Sequence, residues 1–541
     1  MTKKIRQLLK NLGLHLASLA GVSKVEYDGK AMEVLKRLAR DNGLKGWAET
    51  KPAEWEISED LRWNTGVKWL SGQREYLSGL NLCQMGINGS VDLSGLDSIE
   101  RLYLSQNDIE NIILENNKNL RELHAAGNSL NLIDLSEAAR LVEIDLTGNH
   151  LESLNLAACP ALVTACLSDN QLMELDLSKS ARLRHLAVDT NQLSDLDLSS
   201  CRNLSYLAIY ENRLTALDLS HCPRLETLSC ADNPLVGGLD LSSNLELAYL
   251  NLYNNRLKVI DLRNNKKLWY LVISGNNLRE LNLGAQAMLT HLVVSGNDLD
   301  RLEVGANRDL RTLDVADNHI KELNLQNCIN LWYLYAAINH LYELELSANS
   351  SLMILDVTDN RLESLNISRS QRLQRLYVAN NKLGKLDLSR NDLLEKVFAG
   401  GNPLSHIELG KNRMLVLQEM DLSYCRLPLS KLLKCVSKAS RQTILGPQQN
   451  VFFEELNLAP GIPPILDLSS EAELAGADTT FTILNHHSHT ASPECAEIEN
   501  GLISFKNKGR YQIMMTNPNV YSTANGHREL VRAYTGWVEV S

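Results

Sequence analysis

Residues 204–222 read "LSYLAIYENRLTALDLSHC". Six apolar residues, Leu204, Leu207, Ile209, Leu214, Leu217 and Leu219, bracket one asparagine, Asn212. The frame recurs along the chain, with asparagines at 107, 128, 149, 170, 191, 212, 233, 255, 276, 297, 318, 339, 360, 381 and 402. Thirteen of the fourteen intervals are 21 residues. The exception, 233 to 255, is 22, and its extra residue falls within Val236-Gly237-Gly238, where glycine accommodates a bulged turn. Degenerate copies flank the array, with Met85 and Cys425 at the asparagine position, giving about seventeen turns.

No single turn can bury six apolar side chains alone, so stacked turns must share one continuous core. Asn212 falls at a tight bend, where its amide serves backbone groups of neighbouring turns. The asparagines therefore form a structural ladder, in which cysteine is an accepted substitute at Cys425.

Over roughly residues 80–425 this pattern resembles the bacterial leucine-rich repeats, L-x-x-L-x-L-x-x-N-x-L. The resemblance implies an α+β solenoid: a leucine-rich-repeat horseshoe with a parallel β-sheet on its concave face, where such proteins bind partners. The expected organisation is a helical N-terminal cap (1–75), the repeat array (76–426), a helical cap or linker (427–445) and a β-sandwich (446–541). The cap rests on amphipathic patterns at about 3–20 and 30–40, followed by a segment bearing Trp47, Trp55, Trp63 and Trp69. Residues 427–442 read as a short helix. Beyond them "TTFTIL", "GLISFK", "GRYQIMMTN" and "TGWVEVS" are short strand-like runs. Their order resembles the immunoglobulin-like domain that follows leucine-rich arrays in many bacterial interaction proteins. It does so without a disulfide pair, since Cys495 stands alone there.

The chain of 541 residues carries 54 Lys+Arg against 65 Asp+Glu, a formal charge of −11, which lacks the signature of a nucleic-acid binder. Residues 1–46 hold ten basic and four acidic side chains, a solvated helical face or a contact for an anionic partner. Leucines near the N-terminus are interrupted by Lys, Arg, Asn, Gly and His, which fits a helix better than a signal peptide. No apolar run reaches the length of a transmembrane helix. Cytoplasmic and exported locations both stay open. Cys159, Cys201, Cys222 and Cys328 share one repeat position and read as a column of small buried thiols.

Positions six, four and two before each asparagine should face the concave surface. Tyr206, Tyr249, Tyr270, His291 and Tyr333 occupy the first; Tyr103, His124, Tyr335, Tyr377 and Phe398 the second; Tyr210 and Tyr253 the third. Trp269 and Trp332 stand one place earlier, on the rim. Nine of the sixteen tyrosines thus fall on three of every twenty-one positions. Beside them lie small residues such as Ala208, Ser229 and Ala231, with Asp145, Asp189, Asp314 and Asp356 on the same surface. Rigid aromatics among small groups suit a binding face, while a cross-strand tyrosine ladder would explain them by packing alone. The candidate partner-binding set is Tyr206, Tyr210, Tyr249, Tyr253, Trp269, Tyr270, His291, Trp332, Tyr333, Tyr335, Tyr377 and Phe398.

A second column, six residues after each asparagine and seven in the 22-residue turn, is Asp, Asn or Glu from Asp134 to Glu408. Stacked carboxylates could attract calcium, but backbone or water hydrogen bonds along an edge suit them better. "NHHSHT" (485–490) could offer His486, His487 and His489 to zinc, yet no CxxC accompanies it and a polar loop is the better reading. No phosphate loop, G-x-S-x-G elbow or large helical ligase module occurs, so neither catalysis nor a cofactor is expected. The expected function is a non-catalytic scaffold binding a protein on the concave face. A host-directed effector or toxin and a carbohydrate adhesin are the alternatives.

Overall fold

The computed structural model describes residues 29–41, 66–70, 76–410, 417–436, 442–444, 448–451 and, with short gaps, 465–540. The amphipathic pattern at 3–20, the tryptophans at 47, 55 and 63, and His486 lie outside them. The chain divides into two compact units, Met1–Leu183 and Arg184–Ser541.

In the first unit, helix α1 (Gly29–Asp41) buries Ala31, Val34, Leu35 and Leu38, the one face that three- and four-residue spacing supplies. Arg37 ties it down, donating to the Asp92 carboxylate at 2.8 Å and to the Asp92 carbonyl at 3.1 Å. Strand Gly66–Leu70 runs antiparallel to Tyr76–Asn81. A parallel ladder then continues through Arg101–Tyr103, Glu122–His124, Glu143–Asp145 and Thr164–Cys166.

The second unit carries a parallel ladder of the same kind from His185–Ala187 through Tyr206–Ala208, Thr227–Ser229, Tyr249–Asn251, Tyr270–Val272, His291–Val293, Thr312–Asp314 and Tyr333–Tyr335. It runs on through Ile354–Asp356, Arg375–Tyr377, Lys396–Phe398 and Glu419–Asp421 to Gln442–Ile444. Every pair is in register, so each residue lies opposite its counterpart in the next copy. The inward leucines of these strands, Leu207, Leu228, Leu250 and Leu271 among them, are fully buried.

Strands are only three residues long, shorter than the alternation in sequence suggests. In several copies the middle face position bends the chain: Asp145, Asn251, Asp314 and Asp356 each accept the N–H two residues on, at 3.0–3.1 Å. Backbone bonding nevertheless persists past the strand, as Ile209 N–H donates to Ser229 O at 2.8 Å and Glu211 N–H to Ala231 O at 3.0 Å. The residue before the ladder asparagine then turns left-handed. Gly275 and Gly296 hold φ of 67° and 62° there, and Asp317 and Ile338 both 53°.

Within each unit the ladder asparagines reach into the preceding copy. Asn297 Nδ2 donates to Ile273 O at 3.0 Å and to its own copy's Val294 O at 3.0 Å, while its Oδ1 accepts from Leu278 N–H at 3.0 Å. At the degenerate last copy Cys425 Sγ takes over the donor role, 3.5 Å from Ala399 O.

The thiol column contains more than thiols. Cys159, Cys201, Cys222 and Cys328 share it with Asn117, Ser180, Asn244, Asn265, Gln286, Asn307, Asn349, Ser370 and Asn391, all at 2% exposure or less. Asn265 Nδ2 donates to Leu241 O at 3.0 Å and Asn244 O at 2.9 Å, and Cys328 Sγ lies 3.7 Å from Val304 O. A second polar ladder therefore runs opposite the first. Burial pushes the Cys201 thiol up to about 12 and those of Cys159, Cys222 and Cys328 up to about 11.

Helix α2 (Leu429–Val436) is shorter than the 427–442 reading and buries Leu429, Leu432 and Cys435. Beyond it, Gln448–Val451, Ala533–Thr535, Gly509–Thr516, Thr480–Asn485 and Val538–Val540 form one sheet. Ile465–Asp467, Leu502–Phe505 and Ala496–Glu499 form an antiparallel second. Glu471, 1% exposed, accepts from Ser430 N–H at 2.9 Å and Ser430 Oγ at 2.6 Å at the start of α2. Among the described residues no helix is long and apolar enough to cross a membrane.

Candidate functional site

The open face of the parallel sheet is where the anticipated aromatics meet. Strands Tyr249–Asn251 and Tyr270–Val272 pair Tyr249 with Tyr270, and their rings stack 4.6 Å apart at 6°. Trp269 meets Tyr249 and Tyr270 edge-on at 6.5 and 5.5 Å, and its ring lies 6.1 Å from His291. His291 lies 5.6 Å from Tyr270, its basicity lowered by burial and by the nearby Arg311 cation. Tyr253, four residues after Tyr249 and past the end of its strand, is 45% exposed and Trp269 43%. Burial beside Tyr270 and Tyr206 raises the Tyr249 phenol.

The remaining candidates form separate groups. Tyr206 stacks on His185 at 4.1 Å and 5°, while Thr227 intervenes between it and Tyr249. Tyr210 hydrogen-bonds Asp189, which with burial pushes its phenol up to about 12. Asp189 itself is buried, although the sequence pattern placed it on the surface. Tyr333 and Tyr335 are half-buried, separated from His291 by Thr312. Trp332 beside them lies under the Arg311 guanidinium at 5.0 Å. Tyr377 stacks on Phe398 at 5.3 Å. In the first unit Tyr103 is packed away, stacked on His124 at 4.9 Å with its hydroxyl donating to Glu122 Oε2 at 2.6 Å.

Two contributors escaped the sequence reading, His185 and Arg311. His185 stands in the Tyr206 column and Arg311 in the Trp269 and Trp332 column, so reading every letter of each column would have found them.

The acidic column has a structural occupation. Asp176, Asp197, Asp218 and Asp240 each accept the N–H of the serine two residues on, at 2.8–2.9 Å. These hydrogen bonds hold the Asp176, Asp218 and Asp240 carboxyls below the usual range. Part of the column pairs as a short parallel strand, with Asp387 opposite Glu408. Among the described residues no three His, Cys, Asp or Glu side chains gather to hold a metal, and the His487 and His489 rings are 6.4 Å apart.

Parallel three-residue strands, an asparagine ladder at the bend and inward leucines in every copy decide the architecture. The fold is a leucine-rich-repeat solenoid, built mostly of strands with few helices. The functional domain of InlJ from Listeria monocytogenes, which includes a cysteine ladder, is 21% identical over 85% of this chain and 90% of its own, with a TM-score of 0.62. YopM from Yersinia enterocolitica is 27% identical over 65% of this chain and 74% of its own, with a TM-score of 0.54. The plant peptide hormone receptor RGFR1, in complex with RGF2, is 20% identical over 69% of this chain and 71% of its own, with a TM-score of 0.59. No protein-family model matches the sequence, and no curated protein does.

Proposed function

We propose that this chain is a non-catalytic scaffold that holds a protein partner on the concave face of a horseshoe. In this reading α1 belongs to an N-terminal helical cap over 1–75, the repeats fill 76–426, and a cap or linker over 427–445 precedes an immunoglobulin-like sandwich over 446–541. The contact set is Tyr206, Tyr210, Tyr249, Tyr253, Trp269, Tyr270, His291, Trp332, Tyr333, Tyr335, Tyr377 and Phe398. One observation carries the proposal: Tyr249, Trp269, Tyr270 and His291 form a continuous aromatic cluster on a sheet face, with Trp269 43% exposed. Rigid aromatic side chains are the residue type that dominates interface energetics. A plant receptor of the same fold is in complex with RGF2, which supports a binding role.

The test is affinity capture by the full chain beside its Tyr249→Ala/Tyr270→Ala variant. A partner held by the first and lost by the second, at equal thermal stability, supports the assignment. Equal retention of the same partner sinks it.

A further inference from the structure

The aromatic column has a missing rung. His185, Tyr206, Thr227, Tyr249 and Tyr270 stand opposite one another in register on consecutive strands. Rings at the two filled steps are 4.1 and 4.6 Å apart. Thr227 occupies the step between, so Tyr206 and Tyr249 are two strand spacings apart, about 9.6 Å at the backbone. The rest of that strand is equally small. Ser229 and Ala231 follow on the same face, Ala231 at 5% exposure. The flanking strands carry a second tyrosine each, Tyr210 and Tyr253. Tyr210 is drawn the other way by its hydrogen bond to Asp189. A floor of Thr227, Ser229 and Ala231 is thus flanked by Tyr206 on one side and by Tyr249 and Tyr253 on the other, about 13 Å along the strand by about 9.6 Å across.

Charge selects what this trough takes. Across 205–211, 226–232 and 248–254 the charged residues are Glu211, Glu226 and Asp232, with no lysine or arginine among them. A flat cation midway between Tyr206 and Tyr249 lies within about 6 Å of each ring, the range of cation–π attraction. The carboxylates at the ends of the floor add Coulombic attraction that a neutral ring would not draw on. We propose that the trough seats the guanidinium of an arginine presented by an extended polypeptide partner. The assignment rests on the sheet-face reading above and narrows it to one position.

The decisive substitution is Thr227→Tyr, which supplies the missing rung. Its neighbours in the column already carry tyrosine, so the fold tolerates the ring, and a thermal melt checks this. Calorimetry on the full chain uses three probes: the N-acetylated amide of Gly-Arg-Gly-Arg-Gly, its glutamine counterpart, and maltohexaose. The arginine peptide should bind wild type more tightly than the other two. Its affinity should fall roughly tenfold or more in Thr227→Tyr and roughly threefold in Glu226→Gln/Asp232→Asn. It should hold in Thr164→Tyr, the same column away from the trough. Unchanged arginine-peptide affinity in Thr227→Tyr overturns the proposal, as does equal or tighter binding of the glutamine peptide or maltohexaose. If Tyr249→Ala/Tyr270→Ala loses the macromolecular partner while Thr227→Tyr keeps both partner and peptide, the sheet-face reading stands and the trough falls.

Discussion

Tyr249 and Tyr270 stack 4.6 Å apart and within 6° of parallel on the open side of two strands whose Cα atoms are in register. Core leucines Leu250 and Leu271 lie on the opposite side of the same strands. A cross-strand aromatic pair stabilises a sheet by about 0.2–1 kcal/mol, whereas an interface anchor contributes about 2 kcal/mol or more. Tyr249→Ala with Tyr270→Ala should therefore shift Tm by a few degrees at most. Partner affinity should fall at least roughly thirtyfold. Scanning calorimetry and titration calorimetry on the same samples check the two halves.

Asn297 makes the opposite case. Its amide bonds Ile273 O, Val294 O and Leu278 N–H in the interior. Asn297→Ala strands the buried Leu278 N–H, while Ile273 O keeps the Asn276 amide and Val294 O the Asn318 amide. Urea denaturation should register a loss of about 1–3 kcal/mol, the cost of one stranded group, and the aromatic face should keep its binding in native buffer.

Ile338 sits at φ 53° and is 53% exposed, in a column where Gly275, Gly296 and Gly401 occupy the same bend. A β-branched side chain is poorly suited to left-handed backbone, a conformation that costs an L-residue about 1–2 kcal/mol. Ile338→Gly removes that strain and very little buried surface. It should raise the urea midpoint, by about 1 kcal/mol in stability after glycine's own entropy cost. A fall in the midpoint would show that the isoleucine side chain has a packing role.

Glu471 links acidity to the junction with α2. Burial raises its carboxyl pKa above the ordinary 4.5, and the two Ser430 donors counter only part of that. The folded chain thus holds this proton more tightly than the unfolded chain. Its contribution is complete below about pH 4.5 and is lost as pH rises through the raised folded value. Glu471→Gln keeps an acceptor for Ser430 and removes the titration. The stability of Glu471→Gln relative to wild type should therefore increase between about pH 4 and pH 8. Melts across that interval check the slope; a flat difference would contradict it.

Much of this was legible because the repeat imposes one chemistry per column. Asn212 and its fourteen counterparts announce the bend, and Leu207 or Leu228 the interior, since each must satisfy the same neighbours in every copy. Tyr249 and Tyr270 were legible as a face because the period fixes which positions point outward, although their column also holds Glu122, Thr164, Thr227 and Ile354. Columns that tolerate several residue types were harder to read. Asn265, Gln286 and Cys328 share one buried row because each offers a donor to the preceding copy, yet only the thiols were legible as a set. Tyr210's attachment to Asp189 and Glu471's to Ser430 depend on side-chain reach and on distant pairing, which no period encodes.

The asparagine and second-column amides also give the stack a direction. Asn297 reaches back to Ile273 and Leu278, and Asn265 back to Leu241 and Asn244. Each turn's backbone is thus completed by side chains made one turn later. On a ribosome, the newest turn is the one whose carbonyls still await their amides, while those behind it are already closed. Synthesis order and sealing order therefore coincide.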